Sequence, residues 1–529
     1  MTAPKRKPHP KDTAGEKSKA GLETNTPKLL YDGAEWDYAT VDKTFQAIEK
    51  IALDEMGLDV YPTQIEVITS EQMLDAYSSI GMPLMYNHWS FGKSFLRDEA
   101  SYRKGRSGLA YEIVINSNPC ICYIMEENSM TMQTLVMAHA AFGHNHFFKN
   151  NHLFKQWTDA NAILDYLQFA KNYIAKCEER HGKKEVEKIL DSAHALRDQG
   201  VDRFTRRQKL DVAALRQLEL DREEYERSQY SELWRTLPEF KPKDSQEIDQ
   251  IEKDLAHKLG LPESNLLYFL EKHSPVLENW QREILRIVRS LAQYFYPQRQ
   301  TKLMNEGCAC FTHYHIMNRL YDLGQVSEGV MLEFIDFHTS VIAQPSFDSP
   351  NFSGINPYAL GFAMMKDIER ICLHPTEEDR DWFPDIAGND TPIETLKMAW
   401  ENFRDESFIL QYLSPHLMRE FRLFNLNDDT TKPHFIVDAI HNKSGYKTVR
   451  SALAAQYSVA HLDLDIQVTN VDLHGNRAMI LTHNMANGMT LEEKQADLVL
   501  CHIQRLWGYD VTLNSVDPNT NRITKTYAE

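Results

Sequence analysis

The chain has 529 residues, and 58 Lys and Arg against 76 Asp and Glu give it a formal charge of −18. That length exceeds a single compact core and implies two to four domains. With 42 % apolar and 25 % charged residues, the composition excludes disorder throughout, and the lack of a Gly-X-Y or sustained heptad repeat excludes a fibre. The acidic balance argues against sequence-independent nucleic-acid binding, which needs a basic surface.

No run approaches the ~18–20 consecutive apolar residues of a membrane span. Met1-Thr-Ala-Pro-Lys-Arg-Lys is basic but has no apolar stretch behind it, so no secretory signal is expected. Seven cysteines, an odd number in a long chain, fit a reduced compartment better than a disulfide framework. The expectation is a cytoplasmic protein.

In chain order, residues 1–28 carry seven Lys and Arg and three acidic residues with almost no large apolar side chain, the composition of a disordered basic tail. Order is expected from Leu29. Residues 41–56 read as an amphipathic helix with Phe45, Ile48, Ile51 and Ala52 on one face. Tyr111-Glu-Ile-Val-Ile and Ile121-Cys-Tyr-Ile-Met read as a hairpin turning at Asn116-Ser-Asn-Pro119. A helix is expected from Ser129 into His139. From 157 to 340 the pattern is mostly helical, with Trp157, Ala160, Leu164, Leu167 and Ile174 on one face. Residues 205–256, dense in charge, read as a solvated helical arm. Leu261-Pro-Glu-Ser restarts a helix, and 276–320 read as long apolar helices. Strands are expected at Phe435-Ile-Val, Leu462–Val468, Arg477–His483 and Tyr509–Leu513, a helix at Leu491–Trp507, and turns at Asn442–Gly445 and His474-Gly-Asn. The implied fold is α+β: a predominantly α-helical main domain with a small β-hairpin or sheet (29–425), followed by a small C-terminal α+β domain (426–529).

Four constellations carry possible chemistry. In His139-Ala-Ala-Phe-Gly-His144-Asn-His146-Phe-Phe-Lys-Asn-Asn-His152, four histidines fall within fourteen residues of a chain holding 21. Histidine is the commonest transition-metal ligand near neutral pH. His139 and His144 are five apart, about 140° around an ideal α-helix. Both reach one ion only if the helix breaks or bulges, and Gly143 is where it would. Position 140 is Ala, so the HExxH glutamate is absent. Read structurally, these histidines cap the helix and bond backbone in a buried turn.

The second constellation is Asn305-Glu306-Gly-Cys-Ala-Cys310-Phe-Thr-His313-Tyr-His315. Glu306, Cys310 and His313 share one helical stripe, and a buried Glu needs a metal or a His as partner. Third, Glu178-Glu-Arg-His181 has the E-x-x-H spacing of di-iron bundles, but as a single copy in a charged stretch it reads as a solvated face. Fourth, Met85-Tyr-Asn-His88-Trp-Ser-Phe-Gly-Lys93, with Arg103-Lys-Gly-Arg106, suggests a pocket wall for an anion; His88, Lys93, His146 and Cys310 are pocket candidates. Cys120-x-Cys122 and Cys308-x-Cys310 read as buried thiols rather than a zinc site. His194, Glu333 and His338 read as structural. No P-loop, dinucleotide-binding glycine motif or nucleophile elbow occurs.

His139–Asn151, Ala175-Lys-Cys-Glu-Glu-Arg-His-Gly182, Trp280-Gln-Arg-Glu-Ile-Leu, Tyr294-Phe-Tyr-Pro-Gln, Asn305-Glu-Gly307, Ile355-Asn-Pro-Tyr-Ala-Leu-Gly361, Gly445-Tyr, Asp465-Ile-Gln-Val and Leu506-Trp-Gly resemble the stage V sporulation protein R (SpoVR) family, in its YcgB-type proteobacterial branch. The resemblance runs from about 29 to 520. It implies a link to formation of the spore cortex in spore formers, and to starvation, stress and stationary-phase physiology elsewhere. It also implies association with a PrkA-type serine kinase and a von Willebrand-type domain protein. It brings no catalytic residues.

Two functions follow as expectations. One is a metal-dependent hydrolase or amide-bond enzyme, with His139, His144, Glu306 and His313 as ligands of a divalent ion (Zn, Fe or Mn) and Glu126, Glu127 or Glu112 as base. The other is a non-catalytic scaffold acting with the kinase partner.

Overall fold

A short apolar strand, a tight Asn-Ser-Asn-Pro turn and a second apolar strand form the expected hairpin, against which a third strand lies. In the computed structural model, β1 (Thr63–Ile68) runs parallel to β3 (Cys120–Met125), and β2 (Glu112–Ile115) pairs antiparallel on the other side of β3. Sequence reading missed β1 because its pairing is non-local, whereas β2 and β3 are joined by a four-residue turn. The structure describes residues 29–78, 85–91, 93, 112–203, 259–347, 349–427, 436–439, 441–472, 475–485 and 488–528. The 1–28 tail, the Arg103–Arg106 stretch and all of the 205–256 arm lie outside the described residues.

The Tyr38–Lys50 helix continues as a π-helical turn over Ile51–Glu55, close to the expected 41–56. Ser129 caps the Met130–Met137 helix by accepting from Met132 N–H at 3.2 Å, and every residue of that helix is buried. The backbone then widens into a second π-helical segment, Ala138–His144, before returning to α-helix at Asn145–Asn150.

The Lys302–Asp322 helix is the axis of the main core. Its first backbone N–H groups are held by a buried side chain from elsewhere: Asp405 accepts from Leu303 and Met304 N–H, each at 2.9 Å. Its small residues let two other segments approach to backbone contact. A Cβ on Gly143 would lie 2.6 Å from Ala309 Cα, and one on Gly307 would lie 2.6 Å from the Gly361 carbonyl carbon. Gly361 belongs to the Pro357–Leu373 helix, which Asn356 caps by accepting from Tyr358 N–H.

A second apolar core joins the Ile163–His181, Lys183–Ala195, Leu266–His273 and Asn279–Gln300 helices to the C-terminal sheet. The helix expected at Leu261-Pro-Glu-Ser begins later, at Leu266, because Asn265 is the residue that caps it. β4 (Asn425–Asn427) and β5 (Ile436–Ala439) form a separate two-stranded pair. Asn442–Gly445 is not a free turn. Asn442 accepts from Gly445 N–H at 2.8 Å and starts the Lys443–Gln456 helix, whose Tyr446, Val449 and Leu453 enter the first core. The C-terminal sheet has the order β6 (Asp465–Val471), β7 (Met479–Asn484), β8 (Val511–Asp517), β9 (Arg522–Ala528). The Glu493–Trp507 helix joins the parallel pair β7 and β8 and ends at Gly508 with φ of 88°. β9, which is mostly exposed, has too little apolar content to read as a strand. The architecture is α+β and mainly helical.

Gly361→Ala gains up to about 1 kcal/mol of helix propensity but drives a methyl into the Leu303 carbonyl. A net loss of about 1–3 kcal/mol is expected in chemical denaturation. Gly329→Ala, whose nearest neighbour would be Ser327 Oγ at 3.7 Å, should be neutral or slightly stabilising.

Candidate metal centre

In a π-helical turn the backbone bonds i to i+5, so residues five apart come onto one side. The Ala138–His144 segment does this for His139 and His144, whose rings stand 4.6 Å apart between centroids. Facing them from the Lys302–Asp322 helix is Glu306. Its Oε2 lies 3.6 Å from His144 Nε2 and 4.0 Å from His139 Nε2. Glu112, at the start of β2, brings Oε1 to 3.7 Å from His139 Nε2. One donor atom from each of Glu112, His139 and His144 lies within 4.8 Å of the others, and the same holds for His139, Cys310 and His313. Donors about 2.1 Å from a common ion stand about 3–4 Å apart, and the separations of 3.6 and 4.0 Å from Glu306 to the two histidines fall in that range.

The electrostatics agree with a site built for positive charge. Burial, then the Glu306 charge, pushes the Glu112 carboxyl up to about 8. Burial also raises Glu306, against the opposing pull of His144 and of the Tyr358 hydroxyl that approaches it. Glu306 Oε2 is buried and has no hydrogen-bond donor among the described residues. An orphaned, buried carboxylate oxygen is costly unless it is protonated or a cation takes the donor's place. Burial holds His139 and His313 well below the ordinary histidine range, so both are neutral and fit to ligate. Burial pushes the Cys310 thiol up.

The His144 tautomer is fixed. Its Nδ1 lies 3.0 Å from Asn305 Oδ1, an oxygen that can only accept, so Nδ1 carries the hydrogen and Nε2 turns a lone pair to Glu306. Sequence reading named Asn305 only as part of a motif and missed this role, and it missed Tyr358. The signal was adjacency: Asn305 precedes Glu306, and Tyr358 follows the Asn-Pro cap of the helix that meets Gly307.

The remaining expected residues separate. His313 lies behind His139, with its Nδ1 2.8 Å from His139 Nδ1 rather than turned to Glu306. Glu126 and Glu127 are exposed on the turn after β3, and Glu127 accepts from Ser70 N–H at 3.2 Å. The structure brings neither to the cluster; among the three expected bases only Glu112 is there. His146 turns the other way, accepting from Asp59 N–H at 3.0 Å and packing its ring on Trp400. His152 approaches the Glu401 carbonyl oxygen. His88 is buried in another group, between Ser90 Oγ at 2.6 Å and Asp191 Oδ1 at 3.1 Å, with the His194 ring 4.3 Å away. Lys93 is exposed. His181 is exposed and stacks on Trp280.

A mainly helical α+β protein with buried His, Glu and Cys groups able to hold a metal ion is the class these observations define. Residues 35–462 match the family described as SpoVR like protein, and residues 464–518 match the SpoVR-like C-terminal domain, so the chain belongs to the SpoVR family. It is 54 % identical over 484 residues to the protein described as Uncharacterized protein YcgB of Escherichia coli (strain K12), covering 92 % of this chain and 93 % of that one. It is thus similar to the YcgB-type members. No solved structure matches the chain. No helix among the described residues is long and apolar enough to cross a membrane.

Buried neutral histidines set the acid response. Burial lowers His146 to about 4 and His194 to about 3, against an ordinary value of 6.5. Below pH 6.5 the unfolded chain takes up these protons first. The stability they contribute is full above that pH and is lost as pH falls toward 4 and 3. Thermal midpoints should therefore drop below pH 6.5. His194→Gln, which keeps an acceptor for the Tyr86 hydroxyl bonded at 2.6 Å, should flatten the drop.

Proposed function

We propose that this protein is a metal-dependent hydrolase acting on an amide or related acyl bond. A divalent ion (Zn, Fe or Mn) would be held by His139, His144 and Glu306. The observation that carries the reading is Glu306 Oε2: buried, without a donor among the described residues, and facing the Nε2 atoms of both histidines. When bound, such an ion supplies Lewis-acid polarisation of a carbonyl and a lower pKa for water.

The chain's own residues do the rest. Asn305 holds His144, and the Tyr358 hydroxyl approaches Glu306 and favours its charged form. Glu112 is the general base. It stands beside the ligand set and has the raised affinity for protons that base work near neutral pH requires. This replaces the glutamate that Ala140 denies to an HExxH arrangement. The family resemblance, with its tie to a peptidoglycan layer, supports an amide bond as target. It is also all that supports an association with a PrkA-type kinase and a von Willebrand-type domain protein, whereas a cytoplasmic setting is supported by the odd number of cysteines.

The test is elemental analysis of tag-free protein purified without added metal. About one equivalent of Zn, Fe or Mn is expected, lost in His144→Ala protein that still folds. Trace metal indifferent to that change sinks the proposal. Glu112→Gln should keep most of its ion and lose amide hydrolysis by ~10²–10⁴-fold, the usual worth of a general base.

A further inference from the structure

Behind His139 stands a second histidine, and behind that a third. His139 Nδ1 and His313 Nδ1 are 2.8 Å apart, and His313 Nε2 is 2.8 Å from His338 Nδ1. All three rings are buried. A neutral imidazole has one N–H, so each contact has one donor and one acceptor, and the direction of one bond sets the other. Only two arrangements satisfy both. In one, the N–H bonds run inward from His338, and His139 Nε2 carries a hydrogen and cannot ligate. In the other they run outward: His139 Nδ1–H donates to His313 Nδ1, His313 Nε2–H donates to His338 Nδ1, and His139 Nε2 is bare toward Glu306 and Glu112.

We propose that His313 and His338 are positioning residues, a directional chain that holds His139 in the tautomer whose Nε2 lone pair faces the ion. The proposal rests on the metal reading above and extends it to two residues that would not touch the ion. It gives His139 what Asn305 gives His144: an acceptor for Nδ1–H, leaving Nε2 bare. His338 is fixed in its place. Its ring is walled by Phe362, Tyr314 and Phe334, with centroids 4.7, 5.3 and 5.5 Å away. Its Nε2 is buried with no hydrogen-bond partner among the described residues; in the outward arrangement it carries the last hydrogen of the chain, a cost that the bond between His139 Nε2 and the ion offsets. His338 comes from the Glu328–Val341 helix, so a third helix is tied to the ligand set.

The experiment measures Zn²⁺ affinity of the full-length protein by competition with a chromophoric chelator, and the visible spectrum of the Co²⁺ form. His338→Phe removes the acceptor and keeps the aromatic packing. It should bind Zn²⁺ about 10–100-fold more weakly and shift the Co²⁺ bands. His338→Gln, which retains a carbonyl acceptor, should stay within about threefold of wild type. Folded His338→Phe with wild-type affinity and an unchanged Co²⁺ spectrum overturns the chain. Should that variant not fold, ¹⁵N-histidine resonances of the zinc-loaded wild type decide: a bare His313 Nδ1 and a bare His338 Nδ1 support it, and hydrogen on either overturns it. Zn²⁺ binding abolished by His144→Ala but untouched by His338→Phe overturns the chain alone. Wild-type protein that takes up no Zn²⁺ overturns the chain and the metal reading together.

Discussion

The centre depends on backbone-to-backbone packing along one helix. Gly143 lies against Ala309, and Gly307 against Gly361, each too close for a side chain on the glycine. These contacts press the π-helical segment and the Pro357–Leu373 helix onto the Lys302–Asp322 helix. Larger residues would separate the helices by the width of a methyl group or more, and donors spaced 3.6–4.0 Å apart would no longer converge. The small residues thus serve geometry before stability. Asp405, by holding the first turn of the Lys302–Asp322 helix, fixes the height at which Glu306 is presented.

The polar groups set into this apolar core come in linked pairs: His144 with Asn305, His139 with His313, His313 with His338. Satisfied pairs of this kind rigidify a core and fix ring orientation. Glu306 Oε2, by contrast, has no donor among the described residues and lies where two imidazoles and a second carboxylate meet. Other buried polar atoms also lack a partner among the described residues, but Glu306 Oε2 is the one that faces the Nε2 atoms of two histidines, where a cation would meet all three. The opposing carboxylates raise each other's cost of ionisation, and a cation between them removes that cost.

Much of the framework was legible in the chain. Ser129, Asn356 and the Asn116–Pro119 turn mark their own element boundaries, because caps and turns are local chemistry. The edges were less legible. β1 and β9 are short or polar and exist through pairing with distant partners, and Asn442 reads equally as a turn or a cap until the helix behind it is seen to pack. His139, His144, Glu306 and His313 stood out by residue type and spacing. The five-residue gap between the first two argued against a shared ion only while the helix was taken as ideal.

What the sequence by itself determined was the family, the mainly helical α+β class, and the two segments that carry the histidines and the glutamate. These reside in local pattern and residue identity, which survive without coordinates. Tertiary structure decided the rest. It placed Glu112, and not Glu126 or Glu127, beside His139. It turned His313 away from Glu306 and toward His338, and it sent His146 to Asp59. His139 and His313 are 174 positions apart, and which ring nitrogen meets which is fixed by helix crossing, a π-turn and the absence of a few side chains. Spacing along a chain states which residues share a face; only packing states which faces meet.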